Sequence, residues 1–437
     1  MLDIKFIREN KKDVQEAAKN KQIDLDVEKL LLLDEKRLTL LQEIEELNAQ
    51  KNNLNDEISK AKDKKPVIAK GKIIKDKLSE LDPEYKKIKK EYDSLMVKVP
   101  MVPSEDTPIG KSEDDNKVIF ESEKPNFDFE PKDHIEIGEA LDIIDFDRGA
   151  KISGYRGYYL KNEGAMLVMA MMQYAFQKMI SKGYLPMLPP TLAKENVLFG
   201  SGYFKGVEYD GDVDEIYQVA TSDKEADGKK SSDKKFLVGT AEPVLLAYYS
   251  GEVLDERDLP LKFCGFSPCY RSEIGSYGKE TKGLYRVHEF YKVEQVVIAP
   301  ASVDLTNEIQ KEMVDVSKEM HEELGLPYRQ LQICTADMGT GKYKMFDIEA
   351  WMPGMDRWGE TGSASNLKDW QSRRLNIRYK DFENKKHYPY LLNNTALPSV
   401  RPLIAILENF QQEDGSVIIP EVLRPWMGGI EKISKEG

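Results

Sequence analysis

Two heptad runs near the N-terminus constrain this chain more than any other feature. Leu33, Leu40, Leu47, Leu54 and Ala61 step by seven, with Leu30, Arg37, Ile44, Lys51 and Ile58 as the companion series. A second series, Ile74, Leu78, Leu81, Tyr85, Ile88, Tyr92, Leu95 and Val99, is spaced alternately by four and three. Apolar residues that repeat every 3.5 positions put one stripe on each helix, and two such stripes bury each other as a coiled coil. The stretch between the runs contains Pro66 and Gly71, so the pattern predicts an antiparallel helical hairpin. Its first helix is about 50 Å long at 1.5 Å per residue. Two helices with little else to bury against are expected to form a projecting arm. Pro83 falls inside the second helix. It predicts a kink, with Asp82 capping a helix that restarts there.

Charge reverses at the tip of this hairpin. The chain carries 64 Lys and Arg against 77 Asp and Glu, a formal net charge of −13. That argues against polyanion binding by the surface at large. Between Lys60 and Lys77, however, eight lysines (60, 62, 64, 65, 70, 72, 75, 77) stand against Asp63 and Asp76 alone. Contact with a nucleic-acid backbone needs such point charges, but lysine-rich solvated turns are also common. The candidates for that contact are Lys60, Lys62, Lys64, Lys65, Lys70 and Lys72.

The proline-rich linker VPMVPSEDTP at 99–108 suggests a boundary between residues 1–103 and 104–437. The three cysteines form no CxxC pair and no histidine lies at zinc-ligand spacing. A disulfide framework and a structural zinc site are therefore not expected, and a reducing compartment fits. The N-terminus is charged without an apolar core, and the longest apolar run, Ala165 to Met172, falls far short of a bilayer span of roughly 20 residues. A cytoplasmic protein is expected.

In the second region, Cys264 to Ile298 reads as strand, glycine-bearing charged loop and strand. Read with a period of two, Arg286, His288, Phe290, Lys292 and Glu294 share one face, and Val287, Tyr291, Val293 and Val297 lie mostly on the other. Arg271 and Glu273 sit just before the turn. A cation, an aromatic and a carboxylate in a row suit the floor of a nucleotide site, though an exposed ladder of cross-strand ion pairs has the same composition.

Other segments carry weaker signals. His134 lies in strand and turn material over 128–153, and a lone histidine is more often structural than a ligand. Leu160 to Ser181 is a methionine-rich helix, apolar nearly all round, which suits a subunit interface, and GYLPMLPPT follows it. SDKEADGKKSSDKK at 222–235 has the composition of a mobile surface insertion. FLVGTAEPVLL returns to strand and then helix, with Thr240 and Glu242 at the junction. Ala301 to Leu324 is an amphipathic helix with His321 in an exposed-looking last turn. GTGKYK at 339–344 is not a phosphate-binding loop, because the preceding glycine and the Ser/Thr are missing. Glu360 and Ser363 offer hard oxygen donors suited to Mg²⁺ shared with phosphate, and a plain polar turn would look the same. Asn393, Asn394 and Thr395 read as a turn before a helix that begins with Arg401 nearby. An arginine there opposes the helix dipole, which suggests that an anion faces it.

Over essentially its whole length the chain resembles the bacterial-type seryl-tRNA synthetase family of class II aminoacyl-tRNA synthetases. The carriers are MLDIKFIREN with the arm that follows, TAEP at 240–243, and YRSEIGSYGKETKGLYRVHEFYKVEQ at 270–295, which is similar to motif 2. GETGSASN at 359–366 resembles the family's glutamate–serine turn, LNNTALPSVRPLIAILEN at 392–409 its motif 3, and the GYLPMLPP region its motif 1. Motif 1 then spans about 160–190, motif 2 264–298 and motif 3 391–410.

The resemblance implies an α+β fold: a six- or seven-stranded antiparallel sheet flanked by helices, with the N-terminal coiled-coil arm. It implies a homodimer, ATP with Mg²⁺, activation of L-serine to seryl-adenylate and transfer to tRNA(Ser) gripped by the arm. Transfer to tRNA(Sec) is left open. Arg271 would grip the α-phosphate and substrate carboxylate, Glu273 would face the adenine edge and Phe290 would stack under the ring. Arg286 and Arg401 would hold the outer phosphates. Glu294 and Thr395 would read the serine amino and hydroxyl groups, with Thr240, Ala241 and Glu242 beside them. Ser272, Val287, His288, Thr361 and Gly362 complete the implied ATP set, and Glu360 and Ser363 would serve Mg²⁺. Arg271, Glu294 and Arg401 would carry the chemistry. His288 faces the ligand in this reading, but the mechanism needs no base from it. A ligase that loads a carrier protein lacks such an arm, and a non-catalytic paralogue would be expected to have lost Arg271, Glu294 or Arg401.

Overall fold

The heptad runs fold as two long helices, α1 (Val27–Lys60) and α2 (Lys65–Met96). Ile44, Leu47, Ile74 and Leu78 are buried between them, with Leu54, Leu81 and Tyr85 packed alongside. Arg37, a charged member of the seam, lays its guanidinium 4.7 Å from the centre of the Tyr92 ring and pairs with Asp34 at 2.7 Å. A cation over an aromatic face lets the seam continue past a charged position. Two expectations need correction. Pro66 and Gly71 do not form the turn; they lie in the first turns of α2, where a proline lacks nothing the helix needs. Nor does α2 restart at Pro83, which sits inside one continuous helix. A long helix held by its packed stripe tolerates one missing hydrogen bond.

The computed structural model describes residues 1–60, 63–220, 224, 228–229, 231, 233–274 and 283–435. Two compact units emerge, Leu2–Pro100 and Met101–Gly437, with Met1 grouped with the second. Much of the 222–235 segment lies outside the described residues.

The second unit is built on a sheet of eight strands among the described residues. They are β1 (Lys117–Glu121), β2 (Leu185–Met187), β3 (Leu261–Tyr270), β4 (Glu289–Ala299), β5 (Tyr328–Gln332), β6 (Lys344–Met352), β7 (Arg357–Asn366) and β8 (Tyr390–Pro398). Their spatial order is β1-β5-β6-β7-β8-β4-β3-β2. Every neighbouring pair is antiparallel except β2 with β3. The sheet is thus wider than the six or seven strands expected, because β1 and the short proline-bearing β2 extend its edges.

Helices α3 (Asn162–Ser181), α4 (Val303–Glu323) and α5 (Val400–Asn409) supply the main core. Leu167, Met171 and Met179 of α3, Ile309, Met313 and Met320 of α4, and Leu403 and Leu407 of α5 join Val293 and Val297 of β4 in one cluster. The even-numbered residues of β4 point the other way. Val296 and Ile298 pack there against the short helix Glu242–Ala247, through Ala241, Leu245 and Leu246. Further along the same face come Glu294, Lys292 and Phe290. The alternation of β4 therefore buries one face in the helical core and divides the other between a second core and a cleft.

Helices occupy part of the segment assigned to strands and turns. His134–Ala140 and Phe146–Ser153 are helical, each opened by an aspartate that caps it, Asp133 and Asp145. Asn393, Asn394 and Thr395 are not a turn but lie within β8.

Candidate active site

A cleft opens over the end of the β3–β4 hairpin. It is lined by Arg271, Glu273, Tyr285, Arg286, Val287, Phe290 and Lys292 from the hairpin, Glu360, Thr361 and Gly362 from β7, and Thr395, Pro398, Val400 and Arg401 from β8 and α5. Three distant stretches of sequence converge because β8 is the neighbour of both β4 and β7 in the sheet.

Registers set the side chains. Between β4 and β8 the pairing slips at Val293/Glu294, so that Glu294 stands opposite Thr395. An extra residue in one strand re-aims its neighbours. A second slip, at Ile348/Glu349 between β6 and β7, sets Gly362 against Ile348 and Glu360 against Glu349, leaving Thr361 unpaired. Thr361 turns its hydroxyl inward, 2.7 Å from His321 Nε2 on α4.

Behind Lys292 and Thr395, which line the cleft, lies a buried cluster of charged and polar groups. Thr240 Oγ1 donates to Glu294 Oε2 at 3.0 Å, and Lys292 Nζ lies 2.8 Å from the same oxygen. Lys292 also donates to Thr395 Oγ1 at 3.2 Å. Thr240, Glu242, Lys292 and Glu294 are all buried. Burial pushes the Glu294 carboxyl up; Glu242 adds to this, while Lys292 and Thr240 pull it back. Glu242 is itself held by Gln371 Nε2 at 2.6 Å, Asn393 Nδ2 at 2.8 Å and Tyr203 OH at 3.2 Å. A second buried ammonium, Lys342, feels both Glu242 and Glu294 and donates to Ser365 Oγ at 2.7 Å, so two lysines and two carboxylates share this end of the site.

The outer end is cationic. Arg271 Cζ lies 5.4 Å from the centre of the Phe290 ring. Arg286 Nη1 donates to Glu273 Oε2 at 2.8 Å. Glu273 holds a left-handed backbone conformation, φ 52°, which a non-glycine residue adopts at a cost of about 1–3 kcal/mol and which clusters at functional positions. Arg401 Nη1 pairs with Glu360 Oε2 at 3.1 Å, and its guanidinium lies 4.6 Å from the centre of the Tyr285 ring. Burial would lower the Arg401 pKa, but the Glu360 carboxylate raises it overall, so the charge is secure. The anion expected opposite Arg401 is thus Glu360 in this structure.

Several named residues lie elsewhere. His288 is outside the cleft: the strand pairing begins at Glu289, so the alternation does not extend back to it. It lines a separate groove with Tyr158, Met169 and Tyr291, and its Nδ1 is 2.8 Å from the Arg271 carbonyl. The Ser272 hydroxyl is buried, and its backbone N–H donates to Glu215 at 3.3 Å. Ala241 is fully buried beneath the site. Ser363 stands opposite Asp347 on β6. The Asp347 carboxyl is pushed up by burial and by Glu360. Among the described residues no cluster of three or more His, Cys, Asp and Glu is arranged to hold a metal. Glu360 lines the cleft, and Ser363, three residues further along β7, is a second hard oxygen donor outside that lining. His321, expected to be exposed, is fully buried, and burial lowers its pKa to about 4.

The alternation of β4 puts Lys292 on the ligand face without a role for it, and Tyr203 and Gln371 join the site only in the structure. Nothing local in the sequence marks those two; they reach Glu242 only through the fold. Lys64, Lys65, Lys70 and Lys72 are exposed on and beside α2. Lys62 and the Lys60 side chain lie outside the described residues, as do residues 275–282.

Residues 1–103 match the seryl-tRNA synthetase N-terminal domain, and residues 220–410 match the class II tRNA synthetase core domain (G, H, P, S and T). The chain is 41% identical to the serine–tRNA ligase of Borrelia garinii subsp. bavariensis over 438 residues, covering 98% of each. It is 39% identical to that of Deinococcus radiodurans, covering 100% of this chain and 99% of the relative. A seryl-tRNA synthetase from Pyrococcus horikoshii complexed with ATP is similar in structure, with a TM-score of 0.84 at 36% identity and 99% coverage of both chains. A cytoplasmic serine–tRNA ligase from Naegleria fowleri in complex with AMP gives 0.82 at 28% identity over 99% of both chains. Among the described residues no helix is long and apolar enough to cross a membrane.

Proposed function

The chain belongs to the seryl-tRNA synthetase family, and from that premise we propose how its own residues carry out the reaction. Its activity is that of a serine–tRNA ligase, which uses ATP to join L-serine to tRNA. The observation that carries the assignment of roles is the polarity of the cleft. Lys292 and Thr395 line it, with buried Glu294, Thr240 and Glu242 behind them, and Arg271, Arg286 and Arg401 line the rest. A molecule with an ammonium and a hydroxyl at one end and phosphates at the other is its complement, and seryl-adenylate is such a molecule.

In this reading the serine ammonium sits against Glu294, and its hydroxyl bonds to Thr395 and the Thr240–Glu294 pair. Buried polar partners discriminate against alanine, which would leave them unpaired. Arg271 holds the serine carboxylate beside the α-phosphate. That carboxylate attacks the α-phosphorus and pyrophosphate leaves, so no general base is needed. Phe290 stacks under the adenine, Glu273 accepts from its exocyclic amine, and Arg286 and Arg401 neutralise the outer phosphates. Positioning and charge neutralisation supply the acceleration. Glu360 and Ser363 would hold Mg²⁺, which would supply hard positive charge to the phosphates.

Lys64, Lys65, Lys70 and Lys72, with Lys60 and Lys62, contact the tRNA backbone. Their exposure on a coiled coil supports this reading for the four that are described. Met166 and Met169, exposed one turn apart on α3, support a homodimer through that face, and three free, buried cysteines suit a cytoplasmic protein. Serine-dependent exchange of labelled pyrophosphate into ATP tests the assignment. Exchange with serine and none with alanine is expected; exchange independent of serine would overturn it.

A further inference from the structure

His134 is fully buried, yet it belongs to none of the groups above. It opens the helix His134–Ala140, and its own backbone N–H is one of the donors a helix start leaves unpaired. Glu408 of α5 takes that N–H with Oε1 at 3.0 Å and also accepts from His134 Nδ1 at 3.0 Å. The other carboxylate oxygen accepts from Gly354 N at 3.0 Å. Both oxygens of Glu408 are therefore acceptors, which puts the imidazole proton on Nδ1.

The far nitrogen must then accept, and it does. The Leu284 N–H donates to His134 Nε2 at 3.1 Å. Leu284 begins the five-residue leg that carries Tyr285, Arg286 and Val287 into the cleft, and whose far end is closed by Arg271 N donating to the His288 carbonyl at 3.0 Å. Gly283, just before it, has φ +68°, and a Cβ there would lie 2.1 Å from His134 Nε2. The chain thus reaches the imidazole only because the preceding residue has no side chain.

We propose that His134 is a positioning residue for ATP. Its Nδ1–H is committed to Glu408, and its Nε2 lone pair holds the Leu284 N–H and so fixes the leg that presents Tyr285, Arg286 and Val287. The inference rests on the assignment of that cleft to ATP. It makes a directional demand: the contact to Leu284 governs ATP, whereas the contact to Glu408 only seats the ring.

Two substitutions separate the contacts, because asparagine ends where Nδ1 lies and glutamine reaches where Nε2 lies. His134→Asn keeps a donor for Glu408 and loses the acceptor for Leu284; His134→Gln keeps that acceptor. In the full chain we expect His134→Asn to weaken ATP roughly tenfold, read as Kd by equilibrium titration and as KM in pyrophosphate exchange. Serine KM should stay within about twofold, and His134→Gln should hold ATP within about threefold of the wild type. Equal weakening by both variants, unchanged ATP affinity in His134→Asn, or ATP and serine shifting together would each overturn the proposal. Should His134→Asn not fold, Gly283→Ala pushes on the same contact and should weaken ATP without moving serine; a parallel loss of both would count against it. Absence of exchange in the wild type would instead remove the ligase reading, while the ATP titration would still decide the role of His134.

Discussion

Glu294 is a carboxylate held where burial opposes its charge. Lys292 and Thr240 keep it usable, and a substrate ammonium would complete it. Glu294→Gln keeps the shape and removes the charge. We expect serine KM to rise about a hundredfold, since hydrogen bonds to charged groups in buried sites are worth about 1.5–3 kcal/mol. ATP KM should stay close to the wild-type value. Equal increases for both substrates in the exchange reaction would mean that Glu294 supports the cleft as a whole. At this scale the sequence was informative where periodicity held. Phe290, Lys292 and Glu294 lie on one face because β4 alternates without interruption from Glu289. His288 fell off that face because it precedes the strand. Tyr203 and Gln371 could not be read at all, since their meeting with Glu242 depends on elements more than a hundred residues apart in the case of Gln371.

Two slips of register matter most among the elements. One sets Thr395 opposite Glu294, and the other frees Thr361 to reach His321. Neither is visible in an alternating pattern, because a single extra residue leaves composition unchanged. His321 departs from its expected exposure for a related reason. It lies in the last turn of α4 as expected, but β6 and β7 cover that turn. The ring donates from Nδ1 to the Ser317 carbonyl at 2.7 Å, so its Nε2 accepts from the Thr361 hydroxyl. Its folded pKa of about 4 lies below the ordinary histidine value, so the unfolded chain binds the proton first as pH falls. Stability from the neutral ring is present above about pH 6.5 and is lost between there and about pH 4, amounting to about 2 kcal/mol between pH 7 and 5. His321→Gln should therefore lie closer to the wild type in unfolding free energy at pH 5 than at pH 7. Parallel curves across that range would refute the assignment. By contrast, the coiled-coil hairpin was legible in advance, down to the buried Ile44, Leu47, Ile74 and Leu78, because its pattern repeats over many turns.

At the scale of the whole molecule, the chain divides into two units, Leu2–Pro100 and Met101–Gly437, and we propose that the first recognises tRNA and the second carries the chemistry. Replacing Lys64, Lys65, Lys70 and Lys72 with glutamine removes four positive charges from an exposed stretch. Charging of tRNA should fall on the order of tenfold or more and become less sensitive to salt, because fewer counterions are released on binding. Pyrophosphate exchange, which uses no tRNA, should not change. A matching loss in both reactions would end the proposed division of labour. The central claim is that one cleft makes the adenylate and then hands its seryl group to tRNA. The most direct measurement is serine-dependent formation of acid-precipitable aminoacyl-tRNA by the purified wild-type chain with ATP. The account predicts charging with serine that is abolished when the terminal ribose of the tRNA has been oxidised by periodate. Adenylate formation without any transfer of serine to tRNA would contradict it.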